Sequence, residues 1–149
     1  MIPRQLLVKI GGTVLICGAV AVAIWLIPPA GWTTNDITTS AAPDYPDLTS
    51  RVYDMAPAQT IEVAAAVATQ KLGWKIVQSN LAGGVLSAEA KTPLGLFTDD
   101  VIVTVTPKGD NSLVTIRSHS RVGRADLGEN ARHIRALQAA MDGQLNRTS

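Results

Sequence analysis

Five of the chain's eight arginines and both of its histidines lie in one run, RSHSRVGRADLGENARHIRAL, between Arg117 and Leu137. An arginine carries its donors in a planar fork that matches a carboxylate or a phosphate with two parallel hydrogen bonds. Arg117, Arg121 and Arg124 are therefore the leading candidates for an anion- or partner-binding surface, with Ser118, Ser120 and Arg132 as further donors. The same neighbourhood supplies acids that compete for those cations. Asp99 and Asp100 are adjacent, and Asp126-Leu127-Gly128-Glu129 has the form of a capping box. Asp99, Asp100, Asp126 and Glu129 are expected to serve in structural pairing and capping. Carboxylates at a helix start also offset the positive end that a bound anion would otherwise use.

Other chemistries find less support. Successive side chains on a strand point to opposite faces, so Asp99 and Asp100 do not make a paired-carboxylate site. His119 and His133 stand fourteen residues apart across a loop, which is no metal-ligand pattern. Ser118 and Ser120 lack the strand-to-helix elbow of an activated nucleophile. The single cysteine, Cys17, falls in an apolar N-terminal run, leaving no thiol for catalysis, zinc or a disulfide downstream. No catalytic residue, metal or cofactor is expected.

The elements that must position the arginine run follow from punctuation and periodicity. Pro57 suits a first helical position and Gly73 a left-handed stop, with Ile61, Ala64, Ala65, Ala68 and Leu72 at helical spacing between them. Strands are expected over residues 74–79, 85–92, 101–106 and 113–118, with turns at Gly83-Gly84 and over 108–112. A closing helix over 127–145 presents Ile134, Leu137, Met141 and Leu145 as one stripe. Short turns between successive strands require antiparallel pairing. The expected fold is α+β, a two-layer domain of order α-β-β-β-β-α over residues 54–149, with an antiparallel sheet and both helices on one face. The apolar loop Leu94, Gly95, Leu96 and Phe97 is expected to plug the sheet edge, with contact to lipid or a partner as the alternative.

Upstream, residues 10–27 carry no charge, and eighteen residues of helix span roughly 27 Å, close to a bilayer's hydrocarbon core. The chain is expected to sit in the lipid bilayer from Leu6 to Ile27 as an anchor (residues 1–27), with Gly11, Gly12 and Gly18 open to helix packing. Arg4 and Lys9 precede the uncharged run from Ile10 to Ile27 and no Lys or Arg follows it until Arg51, so the N-terminus is expected in the cytoplasm. Everything after it would then be periplasmic or otherwise extracytoplasmic. A cleaved signal peptide is the competing reading, but the apolar stretch is long for one and Pro28-Pro29-Ala30 is a poor cleavage site. Residues 28–53, rich in Pro, Thr, Ala and Asp, read as a tether in which Asp44-Tyr45-Pro46-Asp47-Leu48 either hangs free or docks on the domain. Residues 28–110 hold five Lys/Arg against nine Asp/Glu, and residues 111–149 six against three. A chain so divided is not a nucleic-acid binder, which would be basic throughout.

The run from Arg117 to Gly128 with Asn130, Ile134 and Arg135 resembles the signature of the domain-of-unknown-function family DUF1499. So do Gly73-Trp74-Lys75-Ile76-Val77, Phe97-Thr98-Asp99-Asp100-Val101 and Tyr45-Pro46-Asp47-Leu48. The resemblance implies a domain from about Tyr45 to Leu145 and supplies no activity. His119 and Glu129 stand where the family more usually has small or apolar residues, which counts against catalysis by His119. The expected role is a membrane-anchored extracytoplasmic accessory or binding module, docking on a membrane or envelope protein complex through the arginine loop. The alternative is a small-anion binder or enzyme built on Arg117, Arg121 and Arg124. A concave site where those arginines converge favours the alternative; arginines occupied by Asp99, Asp100 and Asp126 favour the module.

Overall fold

Strands alternating small or β-branched residues with polar ones bury a single face, and the central strands do so over most of their length. A computed structural model describes residues 34–92, 95–123 and 126–148. The expected membrane segment lies outside the described residues, and among them no helix is long and apolar enough to cross a membrane. In chain order the elements are β1 (Asp36–Thr38), β2 (Arg51–Tyr53), α1 (Pro57–Ala66, continued by the π-helical turn Val67–Lys71), β3 (Lys75–Asn80), β4 (Val85–Lys91), β5 (Thr98–Lys108), β6 (Asn111–Ser120), α2 (Glu129–Asp142) and β7 (Arg147–Thr148). All strands pair antiparallel in one sheet of order β3-β4-β5-β6-β2-β7, with β1 also on β6.

Leu86, Ala88 and Ala90 of β4, Val101, Val103 and Val105 of β5, and Val114 and Ile116 of β6 face the helices. Ile61, Ala64, Val67 and Ala68 meet them from the first helix, and Ile134, Leu137 and Met141 from α2. Alanines on both sides of the α1 contact let helix and sheet approach closely. Pro57 opens α1, and Gly73, at φ 67°, lets the chain reverse so that the Trp74 N–H reaches the Ala68 carbonyl at 2.8 Å.

The expected helix, four strands and helix are all present, but the domain does not begin at residue 54. Two strands lie inside the stretch expected as a tether. β1 pairs Asp36, Ile37 and Thr38 with His119, Ser118 and Arg117, while β2 pairs Arg51, Val52 and Tyr53 with Val114, Leu113 and Ser112. Both lie along the outer edge of β6, and the chain between them docks on α2. Arg135 donates to Asp47 at 2.8 and 3.0 Å and lies 5.5 Å over the Tyr45 ring, and Gln138 Nε2 donates to the Thr49 carbonyl at 2.7 Å. Ile37, Leu48 and Tyr53 are buried beneath this strap. Strands of three residues are too short to show alternation in a sequence.

Two further expectations change. α2 starts at Glu129, not 127, because Leu127 and Gly128 sit at φ 55° and 84° in the left-handed region. The N-cap position falls on Gly128 and not on Asp126, whose carboxylate nevertheless accepts from the N–H groups of Gly128 (2.9 Å) and Asn130 (2.7 Å). Glu129 does not return the bond as a capping box would; it pairs with Arg132. The apolar loop before β5 also fails to plug the edge, since Leu96 and Phe97 are 69% and 54% exposed.

Candidate functional site

β6 alternation divides the candidate residues between two faces. Arg117 and His119 project on the open side of the sheet, and Ser118 and Ser120 on the helix side. The open side carries one charged row across five strands, Lys75–Glu89–Asp100–His119–Asp36, each pair directly opposite in register. The arginines tie this row together. Arg121 donates to Asp100 at 2.9 and 2.5 Å and to Glu89 at 2.8 Å, and Arg117 holds Asp36 through bonds of 2.8 and 2.6 Å. Arg132 grips Glu129 at 2.9 and 2.6 Å. The guanidinium bonds hold the carboxyls of Asp36, Asp100 and Glu89 below the usual range, and raise Arg117 and Arg121 in return. Arg117 and Arg121 thus carry bidentate carboxylate partners already, and they do not converge on a shared concavity. Arg124 lies outside the described residues.

On the helix side a buried polar layer closes the end of the sheet. Ser118 donates to Asn130 Oδ1 at 2.7 Å, while Asn130 Nδ2 donates to the Asn35 carbonyl and to Ser120 Oγ, both at 3.0 Å. Beside it Asp99 and His133, each 2% exposed, face one another with Oδ2 and Nδ1 3.5 Å apart and no hydrogen bond at either atom. Trp74 stands edge-on to the imidazole at 5.7 Å. Burial pushes the Asp99 carboxyl up, against the pull of Ser120 and His133. Burial pushes His133 down, against the raising effect of Asp99, Glu129 and Asp126, while the neighbouring Arg132 cation adds to the depression.

His133 therefore makes the fold acid-sensitive. Its folded form binds a proton more weakly than the unfolded chain, whose value is 6.5, so its contribution is complete above that pH and lost as pH falls through and below it. Asp99 works with the opposite sign, favouring the fold below the unfolded value of 3.8 and losing that contribution as pH rises through its raised value. The melting midpoint is expected to fall between about pH 7 and pH 5, and His133→Gln should flatten that slope. Circular dichroism melts across the range check it, and an unchanged slope in the variant would refute the assignment.

Two clefts flank the Asp99–His133 pair. His133 lines one of about 500 Å3 with Trp74, Lys75, Glu89 and Arg132. Asp99 lines the other, about 460 Å3, between the loop before β5 and the loop after β6. Its rim is Leu96 and Phe97 from the first loop and Val122 and Leu127 from the second. Asn35 Nδ2 steadies the second loop through a 2.7 Å bond to the Gly123 carbonyl. Holding Leu127 at φ 55° costs about 1–2 kcal/mol for a side chain of this kind. Among the described residues no group of three His, Cys, Asp or Glu is placed to hold a metal. The rim residues are not among the sequence candidates. Their signal is faint: each of Leu96, Val122 and Leu127 adjoins a glycine in a loop, apolar where a solvated turn would be polar.

The fold and the clefts define a mixed α/β domain, an antiparallel sheet with two helices on its buried face and an apolar-rimmed cavity at one end. The chain belongs to the family described as protein of unknown function DUF1499, whose model matches residues 27–141. Among solved structures it is similar to TTHA0849 from Thermus thermophilus, with 8% identity and a TM-score of 0.40 over 73% of this chain and 95% of that one. It is also similar to Ara h 8.0201, with 14% identity and a TM-score of 0.35 over the same shares of 73% and 95%. No protein with a curated description matches the chain.

Proposed function

We propose that the protein is a membrane-tethered, extracytoplasmic accessory module of a membrane or envelope complex, and that it holds a ligand instead of transforming one. The observation that carries the reading is the cleft beside Asp99, concave and rimmed by exposed Leu96, Phe97, Val122 and Leu127. The arginines give less support to an anion clamp, because a ligand at Arg117 or Arg121 must first displace Asp36, Asp100 or Glu89. The uncharged run from Ile10 to Ile27 and the cations before it support the tether.

Fractionation of the full-length chain with a C-terminal tag tests the tether. The chain is expected to pellet with membranes, resist alkaline extraction and dissolve in mild detergent. Protease added to the outside of spheroplasts should remove the tag. Release by alkali, or a tag protected until the cells are lysed, would overturn the tethered and extracytoplasmic reading respectively.

A further inference from the structure

Six large apolar side chains are exposed among the described residues, and the four most exposed share one end of the sheet. Leu96 and Phe97 lead into β5, Val122 and Leu127 follow β6, and the two loops flank a single cleft. The other two, Val77 and Leu81, are less exposed and belong to the edge strand β3 and the turn after it. Scattered apolar residues on a surface need no explanation, whereas a contiguous set marks a surface that meets a partner or a membrane. The acids at this end do not oppose such a contact. Asp99 and Asp126 are buried, Asp126 accepting from two backbone N–H groups, and Glu129 is paired with Arg132. The remaining residues of the two loops, Pro93, Leu94, Arg124 and Ala125, add no acid by sequence.

The path of the chain decides what meets this surface. Asn35 is fastened to the second loop and to β6. Its Nδ2 donates to the Gly123 carbonyl at 2.7 Å, and its own carbonyl accepts from the Ser120 N–H at 2.9 Å. The chain therefore enters the domain at the apolar end. Only the eight residues Pro28 to Asn35 lead there from the uncharged run that ends at Ile27. Fully extended, they reach at most about 29 Å. Standing the domain on its opposite end, where Lys108 pairs with Asn111, would lift Asn35 by about 27 Å of strand and use nearly all of that reach. The apolar end comes down with slack to spare.

We propose that Leu96, Phe97, Val122 and Leu127 insert into the surface of the lipid bilayer and dock the domain on the membrane that tethers it. This rests on the tethered reading above and adds the face that the domain turns to lipid. Apolar side chains at an interface enter the boundary between head groups and acyl chains, about 5–10 Å deep. The mouth of the cleft then opens on lipid instead of water.

A nitrobenzoxadiazole label on one introduced thiol tests it, in the full-length chain carrying Cys17→Ser and reconstituted in phosphatidylcholine nanodiscs with nitroxide-bearing acyl chains. Val122→Cys puts the label on the rim, and Asp110→Cys puts it at the opposite end of the sheet. The nitroxide lipid is expected to quench the rim label at least about threefold more strongly than the opposite one, with its emission shifted to the blue. Leu96→Asn with Phe97→Asn, on the other loop, should bring the rim label down to the level of the opposite end. Equal quenching at the two ends, or a rim signal that survives the double substitution, would overturn the docking and leave the tether standing. A partner protein or a soluble ligand as the true occupant gives the first of these results. A chain that elutes free of nanodiscs would overturn the tether and the docking together.

Discussion

Asn130→Ala is expected to lower the unfolding free energy by about 2–4 kcal/mol, although the residue is only one side chain at a helix start. Asn130 is fully buried and joins three parts of the fold. Its Oδ1 receives the Ser118 hydroxyl of β6, and its Nδ2 reaches both Ser120 Oγ and the Asn35 carbonyl just before β1. Alanine removes all three bonds and leaves the buried Ser118 hydroxyl with no acceptor. Each buried polar group left without a partner costs about 1–3 kcal/mol, and the Asn35 carbonyl escapes the full amount because the Ser120 N–H also reaches it. Urea denaturation of the variant measures the loss. Ser118→Ala removes one arm only and should cost less, and the double variant should cost clearly less than the sum of the singles. Strict additivity would show that Ser118 and Asn130 do not act as a pair.

The sequence-based reading succeeds where a signal is local and repeated. β4, β5 and β6 alternate for seven residues or more, and both helices carry apolar stripes, the first of them between Pro57 and Gly73, so their existence and antiparallel order follow. The opposite faces of Asp99 and Asp100 also follow from strand geometry alone, one carboxyl buried against His133 and the other exposed to Arg121. What the sequence hides is long-range. Arg117 finds Asp36 and Arg135 finds Asp47 across more than eighty residues, and no spacing rule reports such partners. The same distance conceals β1 and β2, whose three residues each acquire meaning only beside β6. The arginine run misleads as a site because neighbours in sequence are not neighbours in space. On a strand they face apart, and the serines expected to assist Arg117 and Arg121 lie on the other side of the sheet. The cleft is hidden for a related reason. Its wall needs two loops and its floor needs two strands, and only the register of Asp99 with Ser120 brings them together.

Gly84→Ala should be as damaging as the loss of Asn130, for a reason that involves no side chain of its own. Gly84 closes the β3–β4 turn at φ 68°, and its carbonyl accepts the Val105 N–H at 2.8 Å. A Cβ built there would lie 2.3 Å from the Val105 carbonyl oxygen. Backbone cannot rotate aside as a side chain would, so the turn must lift from β5 and release that hydrogen bond. Gly73 provides the control, because its φ is 67° and nothing lies within 4 Å of its Cβ position. Gly73→Ala therefore carries only the left-handed strain, about 1 kcal/mol, whereas Gly84→Ala adds the clash and should cost about 3 kcal/mol or more. A one-residue slip of β4 would not relieve it, since that would turn Glu89 toward the helices and Ala88 toward solvent. The variant should consequently unfold at a lower midpoint instead of settling into a shifted register. Parallel thermal and urea denaturation of the two alanine variants decides the matter, and equal losses would mean that the contact with Val105 relaxes at no cost.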